Sequence, residues 1–368
     1  MKYLHLFPNE KFIKSYIEFI NENFDKNEHK FLIIDGVGEK DIKIPVDKNI
    51  EKYISKGRNF KGIIKKMFLI LQLPILYFKL FLNCNKAEKI YFHGLFDIRI
   101  IVFLYLFKGF LNKSSWIIWG GDLYSYLKQK NKFLYKEFYK IDSYVKSNFY
   151  RYITHIEGDY ELAQKWYKAK GKYFDCFMYP SNLYKNIEII SEKKEELYIQ
   201  VGNSADPSNN HFEILNKLEK FKNQNIKLFC ILSYGDKKYA EKVIVYGKKI
   251  FGEKFIPITE FMKYENYMFF LNELDIAIFA HDRQQAFGNI TSLLSMKKTV
   301  YLKETVTTYE TLTKLGLKIK KFNSLEILEK FEEKILTENK EKIKEVFSIK
   351  NLKKDLINIF ENGEKKKI

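Results

Sequence analysis

The clearest chemistry-bearing segment is VGNSADPSNNH, residues 201–211, which follows the apolar strand pattern ELYIQ and precedes a helical pattern. Gly202 lets the backbone turn sharply at the strand end. Asn203, Ser204 and Asn209 carry polar groups that can cap the next helix or bind a ligand. Open α/β sheets bind ligands at the carboxyl ends of their strands, and helix N-termini bind phosphate. The segment predicts a diphosphate site, with an ordinary capped turn as the alternative.

A second polar segment, AHDRQQAFGNIT at residues 280–291, follows the apolar run LDIAIF. Arg283 can pair with phosphate oxygens, while Gln284 and Gln285 can hydrogen-bond sugar hydroxyls. Gly288 and Asn289 allow a close backbone approach at a helix start. The chain has only four arginines, so we interpret Arg283 as a ligand-binding cation. A surface ion pair is the alternative.

In the first half, YFHGLFD (residues 91–97) and WIIWGGDLY (residues 116–124) each end an apolar strand pattern with polar or glycine residues. His93 is a candidate general base because the ordinary pKa of histidine lies near neutral pH, and Asp122 is the other candidate. A cap at the strand end for His93 and a helix cap for Asp122 are the structural alternatives.

The same two segments offer surfaces for an acceptor. Gly121 would admit a substrate close to the backbone. Trp119 and Tyr124 present aromatic faces against which a sugar ring can pack. Core packing is the alternative for both aromatic residues.

Several well-known site signatures are missing from the sequence. It contains no G-x-G-x-x-G after its first strand, no Walker A motif, no HExxH, no GxSxG and no DxD pair. These absences argue against dehydrogenase, metal-dependent and serine-nucleophile chemistry. We therefore expect neither a cofactor nor a bound metal.

The elements that must position these residues alternate between short apolar runs and longer helical patterns, which is typical of repeated βα units. We predict an α/β protein of two Rossmann-like domains, residues 1–185 and 196–368, with a polar linker near residues 181–195. A strongly helical stretch follows Leu325, and the GEKKKI end is a solvated tail. Such an arrangement fits a dinucleotide enzyme, a binding protein or a glycosyltransferase of the GT-B class.

The charge balance is +18 with a pI of about 9.3, which favours attraction to polyanions. Lysine supplies nearly all of this excess, whereas sequence-specific nucleic-acid proteins depend on arginine for base contacts. We expect no nucleic-acid partner. A non-catalytic polyanion-binding protein is the rival interpretation.

Residues 67–82, MFLILQLPILYFKLFL, form the most apolar stretch, and Gln72, Pro74 and Lys79 interrupt it. It is shorter than the about 20 residues that a spanning helix needs. With Lys61, Lys65 and Lys66 before it, the stretch fits a helix on an anionic membrane surface; a buried core helix is the alternative. The similar stretch Leu95–Leu111 fits a buried helix better. No signal peptide is evident, and three scattered cysteines fit a reducing cytosol.

Taken together, YFHGLFD, WIIWGGDLY, VGNSADPSNNH and FAHDRQQAFGN resemble the TDP-N-acetylfucosamine:lipid II N-acetylfucosaminyltransferase family, which is 4-alpha-L-fucosyltransferase-like, in order and in broad spacing over residues 89–290. The resemblance implies a GT-B fold with two Rossmann-like domains facing a central cleft. It implies transfer of a deoxy-amino sugar such as N-acetylfucosamine from a TDP- or UDP-linked donor to a polyprenyl-diphosphate-linked saccharide. This would occur peripherally, at the cytoplasmic face of the inner membrane.

By the same resemblance, one set of residues would line the donor side: Gly202, Asn203, Ser204, Asn209, Arg283, Gln284 and Gln285. A second set would line the acceptor side: His93, Gly94, Gly121 and Asp122. A GT-B phosphorylase or epimerase is a further alternative.

Overall fold

The computed structural model describes residues 1–10, 12–34, 47–55, 62–129, 136–186 and 195–362. The chain folds into two compact units. Unit 1 comprises Met1–Ser181 and Ile349–Ile368, and unit 2 comprises Asn182–Ser348. Lys61, the linker residues 187–194 and the tail residues 363–368 lie outside the described residues, as do the side chains of Lys65 and Lys66.

Unit 1 is built on a seven-stranded parallel sheet with the order β3-β2-β1-β4-β5-β6-β7. Its strands are β1 (Tyr3–Pro8), β2 (His29–Ile34), β3 (Ile50–Tyr53), β4 (Lys89–His93), β5 (Ser114–Ile117), β6 (Arg151–Ile153) and β7 (Lys172–Phe174). The central strands are buried on both faces. This explains their near-continuous apolar sequences.

Helices connect these strands. They are α1 (Ile13–Asn23), α2 (Gly62–Leu71), α3 (Leu73–Lys86), α4 (Ile98–Leu106), α5 (Ser125–Gln129), α6 (Lys136–Ser147) and α7 (Glu157–Tyr167). In α1, buried Ile13, Tyr16, Ile17 and Ile20 recur at the helical spacing that the sequence showed. Helix α4 buries Ile100, Ile101 and Phe103, and most of the predicted buried helix is therefore present.

Unit 2 contains a six-stranded parallel sheet with the order β10-β9-β8-β11-β12-β13. Its strands are β8 (Leu197–Val201), β9 (Ile226–Ile231), β10 (Phe255–Ile258), β11 (Ile276–Phe279), β12 (Thr299–Leu302) and β13 (Lys320–Lys321). Its helices are α8 (His211–Leu218), α9 (Lys237–Phe251), α10 (Tyr264–Glu273), α11 (Phe287–Ser295), α12 (Thr307–Lys314) and α13 (Glu333–Val346). Both units therefore have the doubly wound Rossmann-like topology that the alternating pattern predicted.

The last helical segment differs from the sequence prediction, which assigned residues 196–368 to one domain. Helix α14 (Ile349–Ile357) and the π-helical turn Asn358–Asn362 belong to unit 1. The Phe360 ring packs 5.2 Å from the Tyr3 ring, and the Ile359 carbonyl accepts hydrogen bonds from Tyr91 and Arg151. The sequence of this C-terminal segment is mostly polar, and only a few apolar residues contact unit 1. The sequence pattern therefore did not indicate that the segment packs there.

Helices α2 and α3 leave many large apolar side chains exposed. Exposed residues in this apolar face are Met67, Phe68, Ile70, Leu71, Ile75, Phe78, Phe81 and Leu82. Leu76 and Leu80 on the other side of α3 are buried in the core of unit 1. Among the helices that the structure describes, none combines the length and apolar character needed to cross a bilayer.

Candidate functional site

In unit 2, the two predicted polar loops follow β8 and β11, which are neighbours in the sheet. Gly202 has a φ of +62°, and its amide donates to the carbonyl of Ile278 across the strands. A Cβ at Gly202 would lie 2.5 Å from Nε2 of His211. The loop therefore requires glycine here for both its backbone conformation and its packing.

A buried polar network fixes the first loop against the second. The Asn209 side-chain oxygen accepts from the Asn203 amide at 2.9 Å, and its amide nitrogen donates to Ser204 Oγ at 3.1 Å. His281 Nε2 lies 2.9 Å from Asn203 Oδ1 and 3.2 Å from Asn209 Oδ1, so it donates to both oxygens. Burial lowers the pKa of His281 to about 3, with Arg283 adding to the effect. The imidazole is therefore neutral at pH 7.

Arg283 lies at the exposed side of these loops. Its Nη2 is 3.6 Å from Asp206 Oδ2, and Nη1 donates to the Gln284 carbonyl at 3.3 Å. The ion pair that was the alternative interpretation is thus present, but it is long and partly solvent-exposed. Such a pair contributes little to stability. It leaves the planar guanidinium available to exchange a carboxylate for phosphate oxygens.

Helix α11 begins at Phe287, four residues after Arg283, and its N-cap residue Ala286 has a left-handed φ of +58°. No side chain caps this N-terminus. Gly288 and Asn289 lie in its first turn. The amides of a helix N-terminus carry partial positive charge, so Arg283 and this turn form one cationic region.

The other predicted donor residues occupy supporting positions. Gln285 Nε2 donates to Ser208 Oγ at 3.1 Å, which ties the two loops together. Asn289 Nδ2 donates to the Tyr267 hydroxyl at 2.7 Å. Gly288 lies beside Asn182, whose Oδ1 would be 3.2 Å from an added Cβ.

Sequence reasoning missed Tyr234 and His281 in this region. Tyr234, at the end of β9, accepts a hydrogen bond from Asn203 Nδ2 at 3.0 Å, while its ring is exposed. Both residues follow strands at the carboxyl edge of the sheet, and that placement was the signal available in the sequence.

In unit 1, Asp122 is a structural acceptor rather than an accessible base. Its Oδ2 accepts from the Trp116 indole at 2.6 Å and the Leu95 amide at 2.9 Å. Its Oδ1 accepts from the Trp119 and Leu123 amides, both at 3.0 Å. The residue is buried. The prediction that Asp122 deprotonates an acceptor does not fit this geometry, because four donors already use its oxygens.

His93 is also buried, and protein groups contact both of its ring nitrogens. Nδ1 lies 2.8 Å from the Tyr179 hydroxyl, and Nε2 lies 3.2 Å from His5 Nδ1. His5 Nε2 continues to His29 Nδ1 at 3.0 Å. Burial lowers the pKa of His5 and His93 well below the ordinary range and that of His29 to about 4. A base role for His93 therefore does not fit either, since the ring has no nitrogen directed to a substrate.

Of the predicted acceptor residues, Trp119, Gly94 and Gly121 lie beside the exposed Phe96 ring, whereas Tyr124 lies in the core. Trp119 is partly exposed, and its indole nitrogen donates to the Tyr179 hydroxyl at 2.6 Å. Gly94, with a φ of +75°, and Gly121 lie beneath the ring of Phe96. Tyr124 is buried, with its ring 5.2 Å from that of Trp166. Tyr124 is thus a core residue, and its burial does not fit the predicted contact with a sugar.

A histidine–aspartate pair that the sequence analysis did not identify lies at the same edge of the sheet. His155 follows β6, Asp175 follows β7, and His155 Nδ1 is 2.7 Å from Asp175 Oδ1. The segment after Asp175 continues to Tyr179, which contacts Trp119. Neighbouring strand ends thus place a carboxylate-oriented imidazole on the Trp119 side of the unit.

Within the described ranges, no group of three or more histidine, cysteine, aspartate or glutamate side chains has the arrangement of a metal site.

Residues 80–360 match the family described as 4-alpha-L-fucosyltransferase, glycosyl transferase group 56. The chain belongs to this glycosyltransferase family. The family that the four sequence segments resembled is thereby confirmed, and so is the interpretation of the chain as a transferase enzyme.

Solved structures with the same fold include several glycosyltransferases. WaaG, a glycosyltransferase involved in lipopolysaccharide biosynthesis, is 11% identical with a TM-score of 0.58, over 99% of this chain and 100% of WaaG. A glycosyltransferase from Rickettsia africae is 13% identical with a TM-score of 0.60, over 98% of both chains. An E. coli trehalose-6-phosphate protein bound with UDP-2-fluoro glucose is 10% identical with a TM-score of 0.61, over 98% of this chain and 99% of that one. At these identities the likeness shows the GT-B fold, as predicted.

Proposed function

We propose that this glycosyltransferase binds a nucleoside-diphosphate sugar, TDP- or UDP-linked, on the loops after β8 and β11. The observation that carries the proposal is the uncapped N-terminus of α11 beside Arg283. A diphosphate carries two or more negative charges, and both features favour anions. The UDP-2-fluoro glucose bound to the E. coli relative supports this choice of ligand.

The buried network of Asn203, Asn209 and His281 keeps the loop after β8 in one conformation. A preformed site avoids the cost of ordering a loop when the ligand binds. The neutral His281 adds no positive charge of its own. The exposed Tyr234 ring at the end of β9 offers a face for the nucleobase or sugar, and its hydroxyl is held by Asn203.

The proposed acceptor is a polyprenyl-diphosphate-linked saccharide, and unit 1 is its binding unit. The apolar face of α2 and α3 supports this part of the proposal. Soluble domains rarely expose so many large apolar side chains together. Combined with the net charge of +18, such a face fits peripheral binding to an anionic bilayer. We propose the cytoplasmic membrane surface as the place where the enzyme meets a lipid-linked acceptor.

In the reaction, an acceptor hydroxyl oxygen forms a bond to the anomeric carbon. The bond from that carbon to the diphosphate oxygen breaks, and the nucleoside diphosphate leaves with the electron pair. Arg283 and the α11 N-terminus stabilise the charge on the leaving group. These residues would perform the task that a divalent cation performs in metal-dependent transferases.

The hydroxyl proton needs a base, and we propose His155 in place of His93 and Asp122. Asp175 accepts a hydrogen bond from Nδ1–H of His155, which leaves Nε2 as the basic nitrogen and stabilises the imidazolium that forms. Nε2 lies below the solvent-accessible surface. The acceptor hydroxyl must therefore displace the groups that cover this nitrogen.

The test is transfer activity on defined substrates. The full chain is incubated with TDP-N-acetylfucosamine and an undecaprenyl-diphosphate-linked disaccharide, and the release of TDP is measured with and without the lipid acceptor. The proposal predicts TDP release that depends on the acceptor. Release at the same rate without any acceptor would instead indicate hydrolysis, and no release with TDP- or UDP-linked sugars would contradict the proposal.

A further inference from the structure

The Phe96 ring lies across the two glycines that the sequence analysis assigned to the acceptor side. A Cβ added to Gly94 would lie 2.7 Å from Phe96 Cε2 and 2.9 Å from the Trp119 indole. A Cβ added to Gly121 would lie 3.2 Å from Phe96 Cε1. Phe96 nevertheless remains 52% exposed. The Phe96 ring thus packs directly on the backbone of the two glycines, and its other face is exposed to solvent.

Other large apolar side chains lie around this ring, and the adjacent Asp97 is ion-paired with Arg99. The Phe96 and Trp119 rings are 5.7 Å apart, and the Phe12 ring lies 4.8 Å from Trp119. Ile98, two residues after Phe96, is also exposed. We call Phe96, Ile98 and Trp119 the aromatic shelf.

The polar groups around the shelf bond to one another. The Trp119 indole donates to Tyr179, and Asp122 accepts from the backbone amides of Trp119 and Leu95. A sugar ring requires polar partners as well as an apolar face. A hydrocarbon chain requires only apolar surface, so these contacts favour a hydrocarbon ligand over a sugar.

The shelf is also connected to the exposed apolar face of α2 and α3. Arg99, next to Ile98, donates to Ser55 Oγ at 2.9 Å. Tyr53, two residues before Ser55, donates to the carbonyl of Gln72 between α2 and α3 at 3.5 Å. Both features therefore attach to the end of β3. The shelf and the apolar face of α2 and α3 thus belong to the same unit.

We propose that the aromatic shelf binds the isoprenoid units next to the diphosphate of the acceptor lipid. This inference rests on the proposed lipid-linked acceptor and adds the residues that recognise its hydrocarbon part. The Trp119–Tyr179–His93 contacts hold the Trp119 ring in place, so part of the surface is formed before the lipid binds.

The probe is farnesyl diphosphate, used below its micellar concentration, with inorganic diphosphate as the comparison. Binding to the full chain is measured by titration calorimetry for wild type and Phe96→Ala. The matched control is Phe269→Ala, because Phe269 is 56% exposed on α10 of unit 2. A second variant, Gly121→Ala, introduces a Cβ 3.2 Å from the Phe96 ring and moves that ring without deleting it.

We expect wild type to bind farnesyl diphosphate more tightly than inorganic diphosphate. Phe96→Ala should weaken farnesyl diphosphate binding about tenfold, as the loss of one aromatic contact surface implies. Gly121→Ala should also weaken it, and Phe269→Ala should leave it unchanged. Equal binding of both diphosphates to wild type, or unchanged binding in Phe96→Ala, would overturn the proposal.

Binding of TDP and UDP to the same proteins separates this proposal from the proposed function. If the nucleotides bind but the prenyl chain adds nothing to diphosphate binding, the shelf proposal is wrong and the proposed donor site stands. A Phe96-dependent prenyl effect without nucleotide binding supports the shelf and contradicts the donor assignment.

Discussion

The Tyr179 hydroxyl lies 2.8 Å from Nδ1 of His93, inside unit 1. The same hydroxyl accepts the indole hydrogen of Trp119, so it is hydrogen-bonded to both rings. His93 Nε2 is hydrogen-bonded to His5 Nδ1, and His5 Nε2 is hydrogen-bonded to His29 Nδ1. A continuous series of hydrogen bonds thus connects a partly exposed tryptophan to the interior of the sheet, and it positions Trp119 rather than performing catalysis.

These buried histidines predict a loss of stability in acid. The pKa of His29 is about 4 in the folded chain against 6.5 when unfolded, mainly because burial disfavours the charged ring. The unfolded state therefore binds more protons as the pH falls from 6.5 to 4, and the free energy of unfolding decreases over that window. For His29 the decrease is roughly 3 kcal/mol.

Urea unfolding followed by tryptophan fluorescence measures this effect in unit 1, because all three tryptophans lie there. His29→Gln should reduce the pH dependence between pH 6.5 and 4. An identical slope in the variant would contradict the neutral buried state of His29.

Asp122→Asn should destabilise unit 1 by about 3 kcal/mol or more, because an amide NH₂ would face N–H donors that now bond to a carboxylate. The same fluorescence-detected unfolding measures the change, with exposed Glu137→Gln as the control. A catalytic base would behave differently. If Asp122→Asn abolished activity and left the unfolding free energy unchanged, the structural role would be wrong.

His155→Gln should lower kcat by about 10²–10⁴-fold while leaving the affinity for TDP unchanged, because the base acts on the acceptor rather than the donor. Asp175→Asn should lower kcat less, since it removes only the partner that orients the ring. Steady-state kinetics and calorimetry together provide the test. Full kcat in His155→Gln would exclude His155 as the base.

Replacing Ile75 and Phe78 by aspartate should release the enzyme from anionic vesicles, because both side chains project from the apolar face of α3. Flotation with phosphatidylglycerol vesicles measures the bound fraction. Val245→Asp, an equally exposed change on α9 of unit 2, is the control. Vesicle binding that survives the double replacement would contradict docking through this face.

The strand positions near the site were predictable because apolar runs ending in polar residues mark the carboxyl edge of a parallel sheet. That pattern located His93, Asp122, Gly202 and Arg283 at strand ends or in the loops that follow them. It could not decide which side chains face a ligand, because a polar residue at a strand end also satisfies neighbouring backbone groups. Asp122 is the clearest case, since its four donors come from residues 95, 116, 119 and 123.

Other features depended on contacts between distant parts of the sequence. Phe360 packs against Tyr3, although most of the chain separates the two residues in sequence, and no local sequence pattern predicts that contact. The His155–Asp175 pair likewise joins the ends of β6 and β7, and the sequence analysis did not identify β7 as a strand. Short strands of three residues, partly exposed, carry too few apolar positions to be recognised.

The most direct test of the account is calorimetric binding of TDP and UDP to wild type, Arg283→Ala and the control Lys220→Ala, without added metal. We expect wild type and Lys220→Ala to bind a nucleoside diphosphate and Arg283→Ala to bind it at least tenfold more weakly. No binding of either nucleotide to wild type, or equal binding to Arg283→Ala, would contradict the donor site in unit 2.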